Sequence, residues 1–147
     1  MSRKIDGVDD GTRKRMSNVP SENTKPELVV RKIIHSLGYR YRLHAKTLPG
    51  KPDIVFKSRR KVIFVNGCFW HYHECRHDKM PQTRKEYWRD KLVANHNRDL
   101  LNYSKLNSLG YSVLIIWECE IKNRNRVINK ILKFLNEEGP KRSYVNV

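Results

Sequence analysis

Segment 67–75 (GCFWHYHEC) carries two thiols, two imidazoles and two adjacent large rings directly after an apolar run at 62–65. The third and last cysteine of the chain, Cys119, follows a second apolar run at 113–117. Three thiolates and one imidazole fill the tetrahedral shell that zinc prefers, and they leave no position open for water. The sequence therefore predicts a structural zinc site with the ligands Cys68, His73, Cys75 and Cys119.

The alternative for these cysteines is three buried, reduced thiols without a metal. Their spacing is not the common C-x-x-C pair, but the zinc set uses every cysteine of the chain. An odd number of cysteines cannot all pair within one chain, which favours a reducing compartment and thiolate ligation over disulfides.

A second candidate site begins at 48–53 (LPGKPD), where a carboxylate follows a Gly/Pro turn and leads a predicted strand. Asp53 in this position can hold Mg²⁺ against a scissile phosphate, as in restriction-type nucleases. The usual acidic-x-Lys partner is missing, because the next strand reads FVN at 64–66. His71 is the candidate base and Asp99 the candidate to orient it. Spacing does not bring these residues together, so turn capping by Asp53 and a solvated Asp99 remain alternatives.

Other residues have two interpretations as well. Glu27 fits a helix-capping box first and a catalytic site second. Phe69 and Trp70, helped by Trp88, could wedge between base pairs of DNA, whereas the alternative is core packing. The remaining histidines are interpreted as surface or DNA-facing residues: His35, His44, His77 and His96.

The charge of the chain points to a polyanionic partner. Its 147 residues, enough for one domain, carry 31 Lys+Arg against 15 Asp+Glu, giving a net charge of +16 and a pI near 10.0. Nucleic acid is the first candidate and an anionic membrane surface the second. A ribosomal-type structural protein would show the same charge, so charge alone does not indicate an enzyme. We see neither a secretory signal nor an apolar run of the roughly 18 residues that span a membrane.

The periodicity predicts a mixed α/β sheet flanked by helices. After a basic arm, a helix runs from the capping box at 24–27 to Gly38. Short strands follow at 39–43, 53–56 and 62–65. A helical pattern spans 83–109 with a break expected near 95–97, and then come a strand at 113–117 and an amphipathic helix that stops at 139–140.

Together these motifs resemble the very-short-patch repair (Vsr) family of DNA mismatch endonucleases. The likeness extends over most of the chain, at 16–17, 23–27, 39–44, 48–53, 67–71, 87–88, 95, 98–99 and 117–119. It implies a restriction-endonuclease-like domain over 21–138 with one structural zinc, a flexible arm over 1–20 and a tail over 139–147. The implied reaction is Mg²⁺-dependent nicking of one strand beside a T:G mismatch, which starts the repair of deaminated 5-methylcytosine.

The resemblance also implies roles for individual residues. Asp53 and the Val65 carbonyl would bind Mg²⁺, His71 would be the general base with Asp99 as its partner, and Glu27 would lie near the active site. Asn66 stands where the best-known member of the family has an active-site histidine. The implied zinc ligands are the four named above, and the implied DNA contacts are Phe69, Trp70, Trp88, Arg13, Lys14, Arg15 and Met16.

Two other functions remain open. One is a restriction-type endonuclease that cuts both strands of paired DNA, and the other is a non-catalytic DNA-binding protein stabilised by zinc. For the mismatch nickase we expect catalytic Mg²⁺, structural Zn²⁺ and a monomer in the bacterial cytosol, associated with the nucleoid. Its expected partners are double-stranded DNA with a T:G mismatch, mismatch-repair proteins and a repair polymerase.

Overall fold

The computed structural model describes residues 22–71, 73, 81 and 83–137. Within these ranges the elements in chain order are α1 (Lys25–Ser36), β1 (Arg42–Leu43), β2 (Ile54–Phe56), β3 (Lys61–Asn66), α2 (Lys85–Ser108), β4 (Ser112–Trp117), a 3-10 turn (Glu118–Glu120) and α3 (Arg124–Asn136). The strands form one sheet in the order β1-β2-β3-β4. β1, β2 and β3 pair antiparallel, whereas β3 and β4 pair parallel. The predicted mixed sheet flanked by helices is confirmed.

The sheet is the middle layer of the fold. Side chains alternate between its two faces, so Ile54, Ile63 and Ile116 pack in one apolar cluster with residues of α1 and α3. Val62 and Ile115 pack on the opposite face with α2. Every residue of β3 and β4 is buried, which explains their nearly continuous apolar sequences. No helix in the described ranges is long and apolar enough to cross a membrane.

Helix α1 begins with one of the two bonds of the predicted capping box, while the Glu27 side chain bonds one residue before the N-cap Thr24. Thr24 Oγ1 accepts a hydrogen bond from Glu27 N, and Glu27 Oε1 accepts one from Asn23 N. These bonds satisfy amide groups that have no partner within the helix. Gly38 follows the end of the helix with φ +86°, a conformation that glycine adopts at little cost. The end at Gly38 is therefore confirmed.

The predicted break near 95–97 is wrong. α2 is a single helix of 24 residues, Lys85–Ser108. Asparagine usually disfavours a helix interior because its side chain competes for backbone hydrogen bonds. Here Asn95 Nδ2 instead donates to the Trp70 carbonyl oxygen at 3.3 Å, outside its own helix. The tertiary contact removes the local competition on which the prediction depended.

The first two strands are shorter than predicted. β1 covers only two residues, Arg42–Leu43, and β2 begins at Ile54 rather than at Asp53. Tyr39 and Tyr41, which were expected in the first strand, instead pack edge-on against Phe56. Asp53 therefore lies at the loop end of the β1–β2 hairpin, just outside the strand pairing.

Candidate active site and metal centre

The parallel pairing of β3 with β4 brings two distant segments together. Asn66 pairs with Trp117 at the carboxyl ends of these strands. Cys68 and Cys119 each lie two residues beyond this pair, so the chain continues from both strand ends into the same region. The thiols that the sequence separates by 51 positions become neighbours because of the strand register.

Three of the four predicted zinc ligands converge there. The donor atoms of Cys68, His73 and Cys119 all lie within 4.8 Å of one another. Cys119 Sγ lies 3.7 Å from His73 Nδ1, and the His73 ring stacks on Trp117 with centroids 4.0 Å apart. Burial lowers the pKa of His73, which favours the neutral imidazole that binds metals. Cys75 lies outside the described residues. We call these three residues the thiol cluster.

Asp53 is held by the next strand. Its Oδ2 accepts a hydrogen bond of 2.7 Å from the backbone N–H of Val65. Burial raises the pKa of Asp53 to about 7, the Val65 hydrogen bond opposes this, and the negative charge of Glu27 adds to it. A carboxyl group in this state is neutralised either by a proton or by a cation. The oxygen donors here are the type that Mg²⁺ prefers, so the residues fit a divalent cation.

Glu27 and His44 complete the surroundings of Asp53. Their ligand atoms and that of Asp53 all lie within 4.8 Å of one another, and we call these three residues the carboxylate cluster. Glu27 is 1% exposed, and its Oε2 accepts a hydrogen bond of 3.0 Å from His44 Nε2. Glu27 is thus both a helix cap and a member of the cluster.

His44, interpreted from the sequence as a surface or DNA-facing residue, contacts a buried carboxylate in the structure. Its side chain is only 14% exposed and contacts Glu27. The backbone explains the placement, because the N–H of His44 donates to the Asp53 carbonyl oxygen at 3.0 Å, next to the β1–β2 pairing. Pairing the predicted strands at 39–43 and 53–56 as a hairpin would have put His44 opposite Asp53, and this was the available signal in the sequence.

His71 and Asp99 form a second imidazole–carboxylate pair. His71 Nδ1 donates to Asp99 Oδ2 at 2.5 Å, and both side chains are partly exposed. Asp99 lies on α2, whereas His71 lies in the segment after β3, so the contact joins residues 28 positions apart. A carboxylate on Nδ1 orients the ring and leaves Nε2 available to accept a proton. Asp99 is therefore not merely a solvated helix charge.

Tyr103 links the two halves of the site. Burial raises the pKa of its phenol well above the ordinary value, and the charges of Asp99 and Asp53 add to this effect. Both carboxylates therefore lie near the same phenol. Asn66 is 2% exposed, and its Nδ2 donates to the Tyr103 Oη at 2.9 Å. In this structure the Asn66 amide bonds within the protein, so it is not open to a phosphate. Tyr103 had not been singled out from the sequence.

The aromatic residues form one cluster. The ring centroids of Phe69 and Trp70 are 5.0 Å apart, and those rings lie 5.7 and 6.4 Å from Trp88. Phe69 and Trp70 are partly exposed, whereas Trp88 is 0% exposed. The structure places Trp88 behind the other two rings, which pack against it. The four predicted contacts in the arm lie outside the described residues: Arg13, Lys14, Arg15 and Met16.

These groups can support hydrolysis of an ester. One carboxyl group can hold a cation, and an oriented imidazole can accept a proton from water. The three donors of the thiol cluster can contribute to a structural metal site. The arrangement fits a hydrolase with separate catalytic and structural metal sites.

Comparison with known proteins gives a consistent result. A family model described as "DNA mismatch endonuclease Vsr" matches residues 5–77. The chain is 51% identical over 108 residues to the "Type II nicking enzyme V.XorIIP" of Xanthomonas oryzae pv. oryzae, covering 74% of this chain and 79% of the relative. It is 38% identical over 125 residues to the "DNA mismatch endonuclease Vsr" of Escherichia coli (strain K12), covering 85% and 80%. A third relative, the "Type II nicking enzyme V.NmeAIP" of Neisseria meningitidis, is 38% identical over 123 residues, covering 79% and 88%.

Proposed function

This chain belongs to the Vsr family of DNA mismatch endonucleases and is a nuclease, and from that premise we propose that it nicks one strand of duplex DNA beside a T:G mismatch. Such a nick would start very-short-patch repair of deaminated 5-methylcytosine. The observation that carries the proposal is the 2.5 Å contact between His71 and Asp99. His71 follows β3, the strand whose Val65 N–H donates a hydrogen bond to Asp53.

The catalytic roles follow from the chemistry of the groups. His71 Nε2 accepts the proton of the attacking water, and Asp99 fixes the ring through Nδ1. Asp53, with the Val65 carbonyl as a second oxygen donor, would hold Mg²⁺. When bound, that cation supplies positive charge at the phosphate and favours ionisation of water. Glu27 adds a fixed negative charge beside Asp53, which strengthens cation binding.

The thiol cluster is proposed as the structural zinc site. Cys68, His73 and Cys119 supply three donors, and Cys75 is the proposed fourth. A four-ligand shell would tie the segment after β3 to the turn after β4, so that His71 is held between two zinc ligands in the sequence. The mixed sheet with helices on both faces supports a restriction-endonuclease-like fold, which stays a proposal.

DNA binding is proposed to use charge and aromatic rings. The net charge of +16 suits a polyanionic duplex. Phe69 and Trp70, supported by the buried Trp88, would enter the base stack beside the mispair, where unstacking costs less. The basic arm with Arg13, Lys14 and Arg15 would add phosphate contacts. A monomer in the bacterial cytosol and the repair partners named above also remain predictions.

The test is strand-resolved cleavage of a T:G duplex. Each strand is labelled differently, and cleavage is followed under single-turnover conditions with Mg²⁺. We expect one nick on the T strand and none in the matched T:A or C:G duplex. Cutting of both strands of paired DNA would instead indicate a restriction endonuclease, and binding without cleavage would indicate a DNA-binding protein. Duplexes with randomised flanks make the result independent of the flanking sequence.

A further inference from the structure

His44 has an unusual backbone for a residue with a side chain. Its φ is +49°, in the left-handed region that residues other than glycine seldom adopt. Its side chain is 14% exposed and its Nε2 contacts a carboxylate that is itself 1% exposed. Strained backbone with a side chain placed against a buried charge is typical of a functional position.

The bonds of Glu27 show what His44 does. Oε1 accepts from the backbone N–H of Asn23, which belongs to the helix cap. Oε2 accepts from His44 Nε2 at 3.0 Å and from Arg31 Nη1 at 3.3 Å. The His44 bond is the shorter of the two on that oxygen, and it joins the helix to the hairpin that carries Asp53. Removing it would leave Glu27 with the Arg31 bond, which lies within the same helix, and with its hydrogen bond to the Asp53 carboxyl group.

We propose that His44 is a positioning residue of the active site, which holds the Glu27 carboxylate beside Asp53 and thereby strengthens binding of the divalent cation. The inference rests on the proposed function, in which Asp53 binds that cation. The charge of a second fixed carboxylate raises cation affinity, because affinity rises with the number of negative ligands. Groups that orient the ligands of a metal typically contribute 10- to 100-fold to its affinity.

Direct ligation by His44 is the less favoured arrangement. Its Nε2 already contacts Glu27, and its Nδ1 lies 3.9 Å from Glu22 Oε2. Both ring nitrogens thus face carboxylates. Mg²⁺ also prefers oxygen to nitrogen ligands. His44 therefore acts through Glu27. This role requires a hydrogen-bond donor at the position of Nε2, and a group other than an imidazole can supply it.

Two amide variants separate these possibilities. His44→Gln places an N–H group near the position of Nε2, whereas His44→Asn carries the same amide one methylene shorter. Asparagine also tolerates the left-handed backbone well, so His44→Asn should fold. Mn²⁺ binding to the protein without DNA is measured from the electron paramagnetic resonance signal of free Mn²⁺, at one pH, alongside thermal unfolding.

We expect His44→Asn to bind Mn²⁺ about 10-fold more weakly and His44→Gln to stay within about 3-fold of the wild type. Glu27→Gln should weaken binding at least as much as His44→Asn, because it removes the charge itself. The double variant should be no worse than Glu27→Gln, because His44 acts through that charge. In nicking assays the Mg²⁺ concentration for half-maximal rate should rise more than the plateau rate falls.

Three results would overturn the inference. Wild-type Mn²⁺ affinity in His44→Asn would remove the role altogether. Equal weakening in His44→Gln and His44→Asn would show that the imidazole is itself the ligand. A loss of affinity that follows a loss of thermal stability would show a merely structural residue. If the wild type fails to nick a T:G duplex while the Mn²⁺ pattern is as expected, the proposed substrate is wrong and the positioning role stands.

Discussion

The thiol cluster and the carboxylate cluster differ in the way the fold builds them. Cys68 and Cys119 follow the paired ends of two buried parallel strands, and His73 stacks on Trp117 beside them. Glu27 lies instead in the first turn of α1, and Asp53 lies at the loop end of the β1–β2 hairpin. The first cluster is assembled from soft donors next to the core, and the second from charged oxygen donors around one imidazole. Soft donors suit a structural zinc, whereas oxygen donors suit a catalytic Mg²⁺.

The two clusters also differ in how burial affects the form of the side chain that binds a metal. In the thiol cluster, burial lowers the pKa of His73 and so favours the form that binds a metal. In the carboxylate cluster, burial and the nearby Glu27 raise the pKa of Asp53 to about 7, so its charged form is unfavourable in the metal-free protein. Unfavourable charge of this kind is common where a site must bind a cation or a reacting group. The difference teaches that burial favours the metal-binding form of His73 but disfavours the charged, cation-binding form of Asp53.

The largest expected effect is the loss of nicking activity in the Asp53→Asn variant. A metal ion contributes several kcal/mol to such reactions, and about 1.4 kcal/mol corresponds to tenfold in rate, so nicking should fall about a thousandfold or more. The amide can still accept the hydrogen bond from Val65, so the fold should persist. Single-turnover nicking of a T:G duplex measures the loss, and duplex binding is the control. Turnover within tenfold of the wild type would remove Asp53 from the mechanism.

The next largest effect is a loss of stability when a residue of the thiol cluster is changed. Cys119→Ala should abolish binding of zinc and lower the free energy of unfolding by about 3 kcal/mol or more, because metal loss is among the most destabilising changes. Elemental analysis and thermal unfolding measure the two quantities. Asp53→Asn serves as the matched control and should retain the zinc. Purified wild type without zinc would contradict the assignment of the thiol cluster.

Asp53→Asn should also make the metal-free protein more stable at high pH. A carboxyl group with a raised pKa destabilises the folded state progressively as pH rises from about 4 to about 7. The variant lacks this penalty, so at pH 8 it should be more stable on the order of 2 kcal/mol, after allowing for burial of the amide. The difference should vanish near pH 4. Urea unfolding at both pH values without added Mg²⁺ tests this, and equal stability at pH 8 would contradict the electrostatic contrast.

The smallest expected effect concerns the two rings that follow Cys68 in the sequence. Changing Phe69 and Trp70 together to Ala should weaken binding to a T:G duplex about tenfold, equivalent to about 1.4 kcal/mol, and should weaken binding to paired DNA less. The measurement is competitive binding in the absence of Mg²⁺, with thermal unfolding as the control. If the double variant loses stability and binds both duplexes equally poorly, the rings are core residues instead.

The sequence predicted local features better than contacts between distant segments. The apolar runs and the Gly38 stop predicted the strands and α1, because these patterns depend on a few neighbouring residues. The break in α2 was predicted wrongly, since Asn95 bonds to Trp70, 25 residues away. No local pattern contains that information.

The candidate site was predicted in the same uneven way. Donor types indicated Cys68 and Asp53 as candidates, with buried reduced thiols and turn capping as the alternatives. His44 was missed because its role depends on the hairpin register and on its left-handed backbone. The Asn66 contact with Tyr103 was missed because it joins a strand end to a helix 37 residues away.

His71 provides the most direct test of the claim that the structural and catalytic sites are separate. In the sequence it lies between two residues of the thiol cluster, Cys68 and His73, but its side chain bonds to Asp99. Zinc content, thermal stability and single-turnover nicking should be measured on the same preparations of the wild type and His71→Ala. General-base catalysis contributes about 10²- to 10⁴-fold. We predict that His71→Ala keeps its zinc and its stability while nicking of a T:G duplex falls by that factor. Loss of zinc in step with activity, or wild-type nicking without the imidazole, would contradict the account.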